Sequence, residues 1–187
     1  MKEIGLFLDM LLAYNKKVNL VSRRSTKESL AALVGESLLL KEHIAEPLVI
    51  DAGSGGGLLG IPLALALPGK EFVLVETIGK KAVFLGQAVA GLALANASVW
   101  PGSMREFVRH RRQRECTVVS RGFPDPRELA ELVLCHKVRQ LLLISSAAKI
   151  DKIRGAVANF RQKRYNIPLR DNLVLFELEN VSRETRR

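Results

Sequence analysis

Apolar positions near the start of the chain recur every three to four residues. Ile4, Phe7, Leu8, Leu11 and Leu12 line one face of an amphipathic helix predicted over 3–20. A basic link, NKKVNLVSRR, follows, and Ser25-Thr26-Lys27-Glu28 reads as a capping box that opens a second helix running to about residue 43. Pro47 ends that unit. Beyond it the period changes: short apolar runs of strand length at 48–51, 72–76, 98–100, 116–120, 140–145 and 172–179 alternate with helical segments at 58–67, 79–94, 103–112, 126–137 and 147–163. Strands that alternate with helices imply βαβ units. The expected fold is α/β, a mostly parallel twisted sheet with helices on both faces. Residues 1–46 are expected to form an N-terminal helical extension packed on a core domain of 47–187, one compact unit overall, with SRETRR as a frayed tail.

Composition agrees with that pattern. Of 187 residues, 48% are hydrophobic but only 5% aromatic, so the core must be aliphatic, as suits a sheet buried on both faces. Cys116 and Cys135 form no CxxC and match no Cys/His pair, which disfavours a disulfide framework or a zinc site; buried free thiols and no metal are expected. The first apolar stretch carries Glu3 and Asp9, unlike a signal peptide, and the longest apolar run, 58–67, is too short to span a bilayer. The expectation is a cytoplasmic protein with no membrane partner.

The chemistry concentrates in VIDAGSGGGLLGIP. A strand ends at Asp51, Gly53, Gly55, Gly56 and Gly57 follow, and a helix begins. Such glycines let the backbone turn sharply and approach a ligand closely, with helix-start amides facing an anionic group. A second strand ends at Glu76, about 20 residues on, the spacing of a carboxylate that holds a ribose. Loop and acid together predict an adenosine-containing cofactor, with Asp51, Gly53, Ser54, Gly55, Gly57 and Glu76 around it. Gly55-x-Gly57-x-x-Gly60 also satisfies the dinucleotide fingerprint, so a nicotinamide or flavin enzyme is the competing reading. Asp51-x-Gly53-x-Gly55-x-Gly57 is the usual methyltransferase form, and the chain has little room for a further substrate domain. S-adenosyl-L-methionine is therefore the favoured cofactor. No Gly-Lys-Ser/Thr closes a P-loop, and no Ser/His/Asp or Cys/His arrangement appears around His43, His110 or His136. Methyl transfer to a ring nitrogen needs alignment more than acid or base, so no catalytic residue is nominated.

Charge adds a partner. The net charge is +10, and nine of that surplus lie after residue 100. Lys16, Lys17, Arg23 and Arg24 flank the N-terminal link; Arg105, Arg109, Arg111, Arg112 and Arg114 cluster around one short helix; Arg161, Lys163, Arg164 and Arg170 form a third group. With few aromatics beside them, phosphate contact on folded RNA is the expected mode. A small-molecule methyltransferase and a non-catalytic RNA-binding or assembly protein are the alternatives.

The chain resembles the bacterial 16S rRNA guanine-N7 methyltransferases, the glucose-inhibited division protein B family. The resemblance is carried by YNKKVNLVSRR, a helix ending GESL, IDAGSGGGLLGIPLALALP, LVETIGKKAVFLGQ, GSMREF and VVSRGF. It implies a Rossmann-like class I methyltransferase that modifies N7 of a guanine in the decoding-region loop of small-subunit rRNA. Its partner would be ribosomal RNA or the small ribosomal subunit, with no obligate protein partner. Carried over by position, Gly53 and Leu58 would line the cofactor, Glu76 would hold the ribose, Met104 and Arg105 would flank the adenine, and Arg121 would stand at the active-site mouth. The chain departs from the family pattern at Leu33, Leu59, Glu76, His136-Lys137 and Ser145-Ser146.

Overall fold

A computed structural model describes residues 2–110, 114–122, 138–154, 157, 160–167 and 173–179. Helices α1 (Lys2–Asn15) and α2 (Lys27–Leu38) come first, and a 3-10 turn (Leu39–Glu42) leads into the sheet. There follow β1 (Leu48–Ala52), α3 (Gly60–Ala66), β2 (Glu71–Glu76), α4 (Gly79–Gly91), β3 (Ala97–Pro101), α5 (Met104–His110) and β4 (Cys116–Arg121). The remaining described elements are β5 (Val138–Ser146), α6 (Ala147–Arg154), β6 (Arg161–Asn166) and β7 (Leu173–Glu179).

The seven strands form one sheet in the order β3-β2-β1-β4-β5-β7-β6. β1 pairs in parallel with both β2 and β4, β2 with β3 and β4 with β5, while β7 runs antiparallel to β5 and β6. Chain order reverses between β1 and β4, the switch point at which open α/β sheets leave a crevice outside the strand carboxyl ends. β1 is buried at every position, as a strand covered on both faces must be. Leu48, Ile50 and Ala52 join Val73, Val75, Met104 and Phe107 on one face; Val49 joins Phe72, Leu63 and Val119 on the other. The extension packs through Phe7, Leu8, Leu11, Leu30 and Val34 onto Phe84, Leu85 and Ala88 of α4.

Several boundaries differ from expectation, each for a local reason. α1 stops at Asn15 rather than near residue 20, because the Asn15 side chain accepts from the Leu20 and Val21 amides (2.8 and 3.0 Å) and folds the basic link into a loop. The cap of α2 is Thr26, not Ser25: Thr26 accepts from the Ser29 amide and Ser29 Oγ accepts from the Thr26 amide, which leaves Glu28 outside the box. Of the helix expected over 147–163, Ala147–Arg154 is helical among the described residues, while Arg161–Asn166 forms an edge strand that the hydrophobic pattern does not announce. Its side chains are mostly exposed or half-buried, since an edge strand needs no apolar alternation to pair through its backbone. Cys116 is buried, as expected. The helix expected over 126–137, Cys135, His136, Lys137, Arg111, Arg112, Arg170 and the tail 182–187 lie outside the described residues. No helix among the described residues is long and apolar enough to cross a membrane.

Candidate functional site

The glycine loop leaves the carboxyl end of β1 at the switch point. Gly53, Gly55 and Gly57 hold φ of 73°, 57° and 76°, the left-handed region that only glycine enters without strain. Gly60 answers a different demand. A Cβ there would lie 2.3 Å from Leu74 Cδ2 and 2.6 Å from Asp51 Oδ2, so the start of α3 can approach the sheet only without a side chain. That approach lets the Gly60 amide donate to Asp51 Oδ2 at 3.0 Å. Asp51 sits fully inside, and burial pushes its carboxyl up from the usual 3.8 to about 7. Bonds from Ser54 and the Gly60 amide and the nearby Arg121 charge oppose that rise; Glu76 reinforces it.

The sequence suggests amides of the loop turned toward an anion; the structure corrects this. The Gly53 and Ser54 amides both donate to Val75 O at 3.0 Å, the Gly57 amide to Ser54 O at 2.8 Å, and the Gly55 amide to Glu76 Oε2 at 2.7 Å. These four donors are consumed internally, while the charged side chains beside the loop include the carboxylates of Asp51 and Glu76. Such a surface favours a cation over a pyrophosphate.

Glu76, at the carboxyl end of β2, stands across the loop as its spacing predicts. One oxygen takes the Gly55 amide and the other the Ile78 amide at 2.8 Å. A carboxylate offers about four acceptor positions, so two remain for a pair of hydroxyls. Ile78 is a site residue that sequence reading passes over: half-exposed beside Glu76, it offers an apolar face at the crevice. Its signal was an isolated apolar residue in the polar turn TIGKK. Met104, expected at the adenine, instead lies buried in the core beneath α5, leaving Arg105 exposed on that helix. Leu58 is half-buried in the loop, and its carbonyl accepts from Ser37 Oγ at 2.7 Å.

Arg121 ends β4 next to the loop, where Ser120 Oγ bonds Ala52 O at 2.8 Å. Its guanidinium turns toward α2, however. Nη1 donates to Glu36 Oε2 at 2.7 Å, and Nη2 to Leu33 O at 2.9 Å and Ser37 Oγ at 2.8 Å, while the buried Nε has no hydrogen-bond partner. Glu36 and Ser37 are therefore part of the site's wall. The only hint of them in the chain is the GES of GESL, two polar residues on a face that otherwise packs inward.

The basic groups separate. Lys16, Lys17, Arg23 and Arg24 are exposed on the link, which lies against the loop: a Cβ on Gly56 would meet Leu11, Leu20 and Val21 within 3.4 Å. Arg109 is exposed on α5. Arg114 belongs to the opposite, amino-terminal end of the strands, where it pairs with Glu71. Arg161 and Lys163 both pair with Glu179 (3.3 and 3.1 Å), so the third group is partly neutralised in place.

A profile of the family described as GidB, rRNA small subunit methyltransferase G, matches residues 1–165. The ribosomal RNA small subunit methyltransferase G of Glaesserella parasuis is 34% identical over 125 residues, 67% of this chain and 60% of that protein. That of Nitrosococcus oceani is 34% identical over 159 residues, 82% of this chain and 72% of its own length. The chain thus spans about three fifths of the first of these relatives. Among solved structures, the O-methyltransferase from Bacillus cereus in complex with SAH aligns with a TM-score of 0.69 at 14% identity, covering 93% of this chain and 90% of that one. At that identity the likeness establishes the fold, a class I methyltransferase sheet.

Proposed function

Because the chain belongs to the rRNA small subunit methyltransferase G family, we propose that it transfers a methyl group from S-adenosyl-L-methionine to small-subunit ribosomal RNA, with guanine N7 as the acceptor. The observation that carries this reading is the acidic glycine loop at the switch point, where Glu76 accepts from the Gly55 amide and Asp51 from the Gly60 amide. A dinucleotide would bring a doubly charged pyrophosphate to those carboxylates; a sulfonium brings a positive charge. Bound there, the sulfonium supplies an electrophilic methyl for in-line displacement by an acceptor lone pair.

The chain's own residues do the rest. The two open acceptor positions of Glu76 hold the ribose hydroxyls, and Ile78 gives the adenine an apolar surface. Gly53 faces open space and Leu58 lines the loop, which lets backbone come close to the methionine end. Arg105 stands on the adenine side. Arg121, held by Glu36 and Ser37, keeps a positive edge at the mouth where an RNA phosphate or base oxygen arrives. Lys16, Lys17, Arg23, Arg24 and Arg109 supply phosphate contacts around the crevice. Guanine N7 carries a free lone pair, so no general base is required and alignment provides most of the acceleration. The guanine must leave its stack to reach the crevice, at a cost of a few kcal/mol.

The test is mass spectrometry of small-subunit rRNA from cells with and without the protein. A single 7-methylguanosine that disappears with the protein and returns with purified protein and S-adenosyl-L-methionine is the expected result. Unchanged methylation would remove the reading.

A further inference from the structure

Between α1 and α4 lies a cleft of about 250 Å³ lined by Met10, Ala13, Tyr14, Lys17, Phe84 and Gln87. From this cleft, and resting on the RNA methyltransferase reading above, we propose that the protein holds a second, unpaired base of its RNA substrate, separate from the base it methylates.

The cleft has an apolar floor and a polar rim. Phe84 is fully buried and Met10 partly so, while Tyr14 is tilted against Phe84 at a centroid separation of 5.1 Å. That packing fixes one edge of the tyrosine ring and leaves it half-exposed toward the cleft. Three of the lining side chains carry polar groups: the Tyr14 hydroxyl, the Lys17 ammonium and the Gln87 amide. Among the described residues, no side-chain hydrogen bond or ion pair engages any of them. These polar groups are therefore available to a ligand, and a few polar groups over an apolar floor are the composition of a ligand pocket.

Size and charge select the ligand. The volume falls just under the roughly 300 Å³ at which drug-sized pockets begin, room for one flat heterocycle. An aromatic ring for stacking, a side-chain amide for a base edge and an ammonium for the adjoining phosphate match a single-stranded nucleotide. Lys16, Arg23 and Arg24 stand exposed on the same link and extend the positive rim. Position matters as well. Phe84 and Gln87 belong to α4, the helix that begins just after Glu76 and whose Leu85 lies against Gly57 of the cofactor loop. An RNA loop threaded along this side could seat one base here while presenting another at the crevice. This would give the enzyme a way to recognise the geometry of a loop without reading a duplex.

The test uses the full-length protein and synthetic stem–loops from small-subunit rRNA, each with one unpaired nucleotide made abasic. One abasic position other than the methylated guanine should weaken binding by the wild type roughly tenfold, the loss of one stacked base. In Gln87→Ala, and in Ala13→Gln, which fills the cleft from an exposed position, that same abasic change should cost little, because the seat is already lost. Tyr14→Leu should behave alike; its melting temperature and cofactor affinity separate loss of stacking from loss of fold. If the wild type methylates these RNAs but no abasic penalty is erased by any of the three variants, the cleft proposal is overturned and the methyltransferase reading stands. If the wild type neither binds nor methylates them, both fall. A concentration-dependent dimer that Ala13→Gln abolishes would assign the cleft to a second copy of the chain and also overturn the proposal.

Discussion

Asp51→Asn separates what the buried acid does for stability from what it does for binding. In the folded protein the carboxyl is held up at about 7 by burial, against 3.8 in its ordinary state. Between those values the folded chain keeps a proton that the unfolded chain releases. Stability therefore falls as pH rises from about 4 through about 7, and the penalty is complete above that. At about 1.4 kcal/mol per unit, three units correspond to a cost of about 4 kcal/mol at pH 8 and about 1–2 kcal/mol at pH 5. Asparagine is isosteric, can still accept from the Gly60 amide, and carries no proton to lose. Its stability minus that of the wild type should grow between pH 5 and pH 8 by about 2–3 kcal/mol. Other titrating groups cancel in the difference because both proteins share them. Urea titrations at half-unit steps of pH, followed through Trp100 fluorescence, measure it directly. A difference that does not change with pH would refute the buried, elevated carboxyl, as would a variant less stable than the wild type at pH 8. At pH 8, where the carboxyl is ionised, the same change should weaken S-adenosyl-L-methionine binding, since it removes a negative charge from a loop suited to a cation. More stability with less affinity is the expected pairing for a residue kept strained by its site.

Glu36→Gln should destabilise the fold by about 2 kcal/mol, the scale of a lost charge-assisted bond, and lower turnover more than cofactor affinity; denaturation and steady-state kinetics distinguish the two effects. Glu76→Ala should weaken S-adenosyl-L-methionine binding by roughly 1.5–3 kcal/mol by calorimetry, and it also releases the Gly55 and Ile78 amides, so a lower melting temperature should accompany it. Gly60→Ala should cost about 1–3 kcal/mol by overpacking against Leu74 and Asp51, measured by urea unfolding, whereas Gly69→Ala, with open space around it, should be nearly silent. The logarithm of RNA affinity should fall linearly with that of salt concentration, and Lys16→Gln should reduce the slope by about one; an unchanged slope would take Lys16 off the phosphate.

Much of the fold can be read from the chain because its inner strands, LVID, FVLVE, CTVV and QLLLIS, must be apolar on both faces, a demand that leaves a visible mark. Arg161–Asn166 carries no such mark, since an edge strand satisfies its backbone through one neighbour and may keep polar side chains. The glycine loop and its acid are equally legible, because spacing along the chain decides both. What spacing cannot give is the direction in which a side chain turns. Met104 enters the core, Arg121 reaches back across 85 residues to Glu36, and Arg114 pairs with Glu71 at the amino end of β2. These are long-range outcomes of packing. The engagement of the Gly53, Ser54 and Gly55 amides is another, because it depends on Val75 and Glu76 lying alongside.

The grip of Glu36, Ser37 and the Leu33 carbonyl on Arg121 has a consequence for how the molecule comes apart. Lifting α2 would strip a guanidinium of three partners at once and expose Ser37, which also bridges to Leu58 in the glycine loop. Helix and loop are thus members of one cooperative unit, and their amides should exchange with solvent through a shared opening rather than through separate fraying. The protein cannot shed its helical cover while keeping a competent pocket underneath.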